Sequence, residues 1–343
     1  MNKLISTGNQ QVIDVAELFT AGTAPNWRCD RPLFVGRAAF HIRQHKQISC
    51  LAPRSQLASE AESRVNFVEI SPVTIALDSK NSTFPTSSGD RYELQMGRHS
   101  RSLAPLFIAF AAASAKGKAL DVGCGTGNLA VELAGNPAFT SIEAFDLSQT
   151  YIAYAKARGA DPRINFQTAD ACAIPFPDST FDLTLSMLVL AFIPEPQRAV
   201  REMVRVTRPG GTVAACMWDL RGGLVFDRMF WDTAAILDPK AMYLRGKAMS
   251  RPITRQGGIA SELKTAGLQN VQETALTITM NFADFDDFWA PFDGGEGIFA
   301  IYVAAPDVEK KIKRALRLAY LDGSPDGPRT YFASAWAARG VRQ

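Results

Sequence analysis

The sequence predicts an α/β protein built on a doubly wound, mostly parallel sheet, and three observations carry that prediction. Short apolar runs at 119–122, 141–146, 163–170, 181–186 and 212–218 alternate with helical patterns at 103–115, 127–134, 148–158 and 195–206. That alternation is the pattern of a parallel sheet with crossover helices. Glycine recurs at every second position, Gly123, Gly125 and Gly127, where the first run turns into a helix. Successive runs end in acids, Asp121, Asp146 and Asp170, at the carboxyl edge where open α/β sheets hold ligands.

Composition sets the frame. At 47% hydrophobic and 21% charged residues, the chain can bury a large core like any globular protein. The net charge is +3 with both signs interspersed, so nothing points to nucleic acid as a partner. No apolar run approaches the roughly 20 residues needed to span a bilayer, and the first residues show no secretion signal. A cytoplasmic protein without stable membrane insertion is expected. The five cysteines, Cys29, Cys50, Cys124, Cys172 and Cys216, form no C-x-x-C pair and imply neither a disulfide framework nor a zinc site. His41 and His45 have the spacing of one helix face, but no third ligand accompanies them. No metal is expected.

Residues 1–88 are expected to be a weakly ordered extension. A helix at 11–19 and a strand at 66–75 are the readable fragments, and Pro25, Pro32, Pro53, Pro72 and Pro85 interrupt the rest. The polar stretch 78–90 reads as a linker. Residues 89–343 are the expected catalytic domain, with a ligand-binding core at 115–220 and a substrate and lid region at 221–328.

The glycine loop admits two ligands. The dinucleotide fingerprint G-x-G-x-x-G requires a third glycine at position 128, which is Asn128. The other pattern, E/D-x-G-x-G-x-G, belongs to class I S-adenosylmethionine (SAM) methyltransferases, and LDVGCGTG at 120–127 resembles it closely. Beyond the loop, Asp146 stands ready to accept both hydroxyls of a ribose, Asp170 the amino group of an adenine, and the Ala171 amide can donate to a ring nitrogen. Ser148 is the expected N-cap of the helix after Asp146. Upstream, Tyr92 and Arg98 precede the first strand, where they can fold over the ligand; guanidinium suits its carboxylate.

The resemblance then becomes specific. The stretch DACAIPFPDSTFD at 170–182, a serine after the fourth strand, and RVTRPGG at 205–211 are similar to ubiquinone/menaquinone C-methyltransferases of the broad methyltransferase-11 type. This resemblance, covering roughly 90–220, implies a Rossmann-like seven-stranded sheet whose last strand is antiparallel. It also implies SAM as cofactor and methyl transfer (EC 2.1.1 class) to a small molecule. Carried over residue by residue, the cofactor contacts fall on Asp121, Gly123, Cys124, Gly125, Thr126, Gly127, Asp146, Leu147, Asp170, Ala171 and Ser186, with Arg98 added from the upstream segment. YELQMGRHSR at 92–101 and everything after 220 depart from the quinone enzymes, so the quinone substrate does not carry over. A SAM-binding protein without transfer activity and an NAD(P) oxidoreductase remain open as alternatives.

The last third is expected to hold the acceptor. Helices are expected at 224–237, 239–249 and 259–266, a tight turn at 208–211, and strands at 271–280 and 329–339 that pair as the terminal hairpin. The connection between these strands is far longer than usual and reads as a lid. Its Phe282, Phe285, Phe288, Trp289, Phe292 and Phe299 either pack on one another or line a cavity for a hydrophobic or aromatic molecule. The basic helix at 306–321 reads as a solvated face. Because the SAM methyl is already electrophilic, catalysis is expected from positioning, and no catalytic residue is assigned.

Overall fold

A computed structural model describes Ser82 and residues 88–112, 115–159, 161–293 and 306–343, together with three strands between 33 and 50. The chain divides into two units, Met1–Ser71 and Pro72–Gln343. In the first, β1 (Leu33–Val35), β2 (Ala38–Arg43) and β3 (Gln47–Cys50) form a three-stranded antiparallel sheet, an arrangement the proline-broken sequence does not announce. His41 lies on β2, opposite Ser49, rather than on a helix. The fragments at 11–19 and 66–75, His45, and the linker up to 87 apart from Ser82 lie outside the described residues.

The second unit is organised around β4 (Gly117–Val122), the strand that leads into the glycine loop. Its neighbours are β5 (Phe139–Asp146), β6 (Ile164–Thr168), β7 (Phe181–Met187), β8 (Thr207–Trp218), β9 (Gln269–Phe282) and β10 (Arg329–Val341). They form one seven-stranded sheet in the order β6-β5-β4-β7-β8-β10-β9. The pairings from β6 across to β8 are parallel, and β10 runs antiparallel to both β8 and β9.

The period-two alternation of strands divides the core between the two faces. Along β8, Ala214, Cys216 and Trp218 join one hydrophobic cluster and Val213, Ala215 and Met217 the other. Both faces are covered, so the middles of the central strands are buried and mainly apolar, with Thr184 and Ser186 of β7 buried among them. On the first face lie α1 (Gly89–Tyr92), a π-turn (Glu93–Gly97) and α2 (Arg98–Ala111), which run on from one another; α2 buries Leu103, Ala104 and Phe107. The short α3 (Asn128–Ala134) follows the glycine loop, and α4 (Gln149–Ala157) begins at Ser148, whose hydroxyl accepts the Tyr151 amide as an N-cap. On the second face, α5 (Pro196–Val206) starts on a proline and buries Ala199, Val200, Met203 and Val206 along one stripe.

The expected tight turn at 208–211 is absorbed into β8, which begins at Thr207. The register against β7 shifts between Phe181 and Leu183, and Gly210 takes φ of 79°. A glycine with positive φ lets the strand carry a bulge where a turn was expected.

After β8 come α6 (Val225–Leu237), α7 (Pro239–Met249) and α8 (Gly258–Thr265). The connection from β9 to β10 contains α9 (Phe285–Trp289) and α10 (Pro306–Leu321). Its aromatics pack together. Phe226 stacks on Phe282 and Phe292 at 5.4 and 4.6 Å between ring centroids, and Phe288 meets Phe282 edge-on at 5.1 Å. Phe282, Phe285, Phe288, Trp289 and Phe292 are all buried, so these rings form a core of their own; Phe299 lies outside the described residues. Among the described residues no helix is long and apolar enough to cross a membrane.

Candidate functional site

The site forms at the carboxyl end of β4. Gly123, Gly125 and Gly127 all have positive φ, at 75°, 54° and 89°. Two of them also have no room for a side chain: a Cβ on Gly123 would lie 2.5 Å from Val189, and one on Gly127 2.8 Å from Phe166. The loop is pinned to the neighbouring strand, because the Gly123 and Cys124 amides both donate to Phe145 O at 2.8 Å. Cys124 is buried in this turn, and burial raises its thiol well above the ordinary range, so it stays protonated as a small filler.

Two acids meet here. Asp146, at the end of β5, accepts the Gly125 amide at 2.9 Å and the Ser148 amide at 2.8 Å. Asp121, at the end of β4, is 1% exposed, and its Oδ2 has no hydrogen-bond partner. Burial, reinforced by the Asp146 charge, pushes the Asp121 carboxyl up to about 8. Asp146 is raised as well, by burial, with the amides from Ser148 and Gly125 pulling against it. An orphaned carboxylate oxygen beside a second, partly buried acid is a costly arrangement unless a cationic donor completes it.

A shallow cleft opens beside Asp121, lined by Tyr92, Ser100, Asp121, Gly123, Cys124, Thr126, Asn128, Leu129 and Met187. Its roof is the upstream helix. Tyr92 lies over the loop, with its Oη 3.7 Å from where a Gly125 Cβ would be. The π-turn that follows aims Glu93 at the loop. Its Oε1 accepts a short hydrogen bond from Thr126 Oγ1 and another from Asn128 Nδ2 at 3.0 Å. Asn128 also donates to Gly97 O and Ser100 Oγ, at 3.1 Å each. Single π-turns within helices recur at functional sites.

The remaining sequence-predicted residues divide. Asp170 follows β6 and accepts the Cys172 amide at 2.8 Å; Leu147 and Ala171 are partly buried beside their acids. Ser186 is fully buried and donates to Val122 O at 3.1 Å, so it ties β7 to β4. The next residue, Met187, points to the opposite face and lines the cleft in its place. Arg98 donates to Asp287 Oδ1 at 2.7 Å and to His99 Nε2 at 3.2 Å, and its guanidinium lies 4.9 Å from the centre of the Phe282 ring. Its Nη2 is buried without a partner, a donor still available to a carboxylate. His99 is driven down to about 3, by burial first and by the Arg98 charge second, so it is a neutral ring whose Nε2 is occupied. Sequence reasoning named no role for Glu93, Ser100, Asn128 or Met187. Asn128 was visible only as the residue that breaks the dinucleotide spacing.

Residues 120–215 match the family model described as a methyltransferase domain. Over these residues the chain is similar to methyltransferase domains. The methyltransferase core shares 35% identity over 129 residues with an uncharacterized protein of Mycobacterium tuberculosis, covering 37% of this chain and 46% of that one. It shares 36% identity over 115 residues with methyltransferase GfsG of Streptomyces halstedii, covering 32% and 41%. The chain thus spans less than half the length of these curated relatives. Among solved structures, the YcgJ protein of Bacillus subtilis aligns with a TM-score of 0.47 and 19% identity, over 71% of this chain and 99% of that one.

SAM is the cofactor that similarity to a methyltransferase domain implies. The site fits it chemically. The orphaned Asp121 Oδ2 on the cleft wall is an acceptor for a cationic donor; Arg98 also has an orphaned Nη2, but it is not among the cleft-lining residues.

Proposed function

We propose that this chain transfers the SAM methyl group to a small hydrophobic or aromatic molecule. The observation that carries the reading is Asp121, a buried acid whose free oxygen lacks a protein donor at the mouth of a glycine loop. When bound, SAM supplies a methyl on a sulfonium, already activated for in-line displacement. The protein's part is to bind and orient. Asp121 holds the amino group and Arg98 the carboxylate. Asp146 keeps acceptor capacity for the ribose hydroxyls after binding two loop amides, and Asp170 with the Ala171 amide receives the adenine. The positive-φ glycines let the backbone approach the cofactor closely, and Leu147, Cys124, Thr126 and Met187 complete the wall.

For the acceptor, the reading rests on the long connection between β9 and β10 as a pocket wall; its buried aromatics pack on one another, and Phe282 touches both Arg98 and His99. The neutral His99, its Nε2 taken by Arg98, is not placed as a proton acceptor. The unit from 89 onward contains every residue in this scheme, and we place the preceding segment outside the working machinery. Calorimetric titration with SAM and with NADH tests the reading: SAM binding in the micromolar range is expected, and binding of NADH but not SAM would overturn it. Incubation with methyl-labelled SAM and fractionated metabolites then identifies the acceptor by the label it gains.

A further inference from the structure

We infer that Glu93 determines which class of ligand the glycine loop accepts, by filling with its own carboxylate a socket that would otherwise hold a phosphate. The inference rests on the SAM reading of the site. Four side chains converge on this acid. Thr126 Oγ1 and Asn128 Nδ2 donate to Oε1, Arg101 Nη2 lies 2.6 Å from Oε2, and Arg158 Nη1 lies 3.6 Å from Oε1. Arg158 is held in place by further bonds to Thr126 O at 3.1 Å and Asn128 Oδ1 at 3.0 Å. The socket therefore contains two hydrogen-bond donors and two guanidinium groups, and the Glu93 carboxylate offsets one of the two positive charges. The Glu93 side chain is 14% exposed, while Arg101 and Arg158 reach solvent at 57% and 31%.

Hydroxyl, amide and guanidinium are the groups that bind phosphate oxygens. Here they surround a built-in anion, and the socket borders the same cleft, which Thr126 and Asn128 help to line. A ligand bearing phosphates has to displace Glu93 or sit against its charge. A ligand with a cationic sulfonium and ammonium gains from it. Asn128 is the residue that occupies the third glycine position of the dinucleotide spacing, so its side chain both ends that spacing and holds the acid that replaces the phosphate. Glu93 also fastens α1 and the π-turn to the loop, which keeps Tyr92 above Gly125.

Charge exclusion and mere fastening predict different behaviour. In Glu93→Gln the shape is kept, the charge is lost, and both guanidinium groups are left unbalanced. The test titrates wild type, Glu93→Gln and Glu93→Asp with SAM and with ADP, after melting curves have shown each to be folded. Wild type is expected to bind SAM and to bind ADP poorly. Glu93→Gln is expected to lose SAM affinity by about tenfold, the size of one charge-assisted hydrogen bond, and to bind ADP at least tenfold more tightly than wild type. Glu93→Asp, which keeps the charge, is expected to go on excluding ADP, and it carries the test if Glu93→Gln does not fold. A Glu93→Gln protein that loses SAM without gaining ADP, or a Glu93→Asp protein that gains ADP, overturns the inference and leaves the methyltransferase reading standing. A wild type that binds ADP and not SAM overturns both.

Discussion

Asp146 accepts the amide of Gly125 at 2.9 Å, so the acid ending β5 shapes the loop that follows β4. One side chain thus holds the turn and, on the proposed reading, presents its remaining lone pairs to the ligand. Replacing it removes both functions. Asp146→Ala is expected to weaken SAM binding by roughly 10- to 100-fold, since each bond to a charged group contributes about 1.5–3 kcal/mol. Calorimetric titration of the folded variant checks this, and unchanged affinity would refute the ribose assignment.

Asp121 makes the ligand-free protein sensitive to pH. Its carboxyl is pushed up to about 8, above its ordinary value, so the native state holds a proton that the unfolded chain releases near pH 4. Its contribution to stability is therefore complete below about pH 4 and is lost as the pH climbs to about 8. Without SAM, the melting temperature of wild type should fall between pH 6 and 9, and Asp121→Asn should flatten that slope. SAM affinity should rise over the same interval, because the ionised acid is the form that attracts the ligand's cation. Melting curves at several pH values, with and without SAM, read both effects. Identical slopes in wild type and variant would show that another group titrates.

Gly127 combines a φ of 89° with a Cβ position 2.8 Å from the Phe166 ring. Gly127→Ala is expected to cost about 1–3 kcal/mol from the backbone conformation alone, with the ring contact adding to it. Adding Phe166→Leu should recover the steric part and leave the conformational part. Urea unfolding of the single and double variants separates the two; full recovery would mean the backbone strain is negligible.

The aromatic cluster tests packing against cavity lining. Phe288 is fully buried and meets Phe282, Phe226 and Tyr320 at 5.1, 5.3 and 5.0 Å. Phe288→Ala should destabilise by about 3–5 kcal/mol while leaving SAM affinity within a factor of two or so of wild type, since the ring lines no part of the cleft. A stable variant would show that Phe288 borders open space and belongs to the acceptor site.

What was legible in the sequence was what local pattern encodes. Apolar alternation and glycine spacing located the strands of the second unit, including the distant pair that closes the sheet as β9 and β10. Asp121, Asp146 and the Ser148 cap were readable because a strand end and a helix start are local events. The face that Ser186 takes was not legible, because a resemblance identifies a serine but not its orientation. The strict alternation of β7 turns it inward and brings Met187 to the cleft.

By itself, then, the sequence determined the fold and the loop, since periodicity and short-range stereochemistry act between neighbours in the chain. The tertiary structure decided what closes the loop. Glu93 meets Thr126 across 33 residues and Asn128 across 35, and Arg98 meets Asp287 across 189. No periodicity links such pairs; only the docking of the upstream helix against the sheet makes them partners.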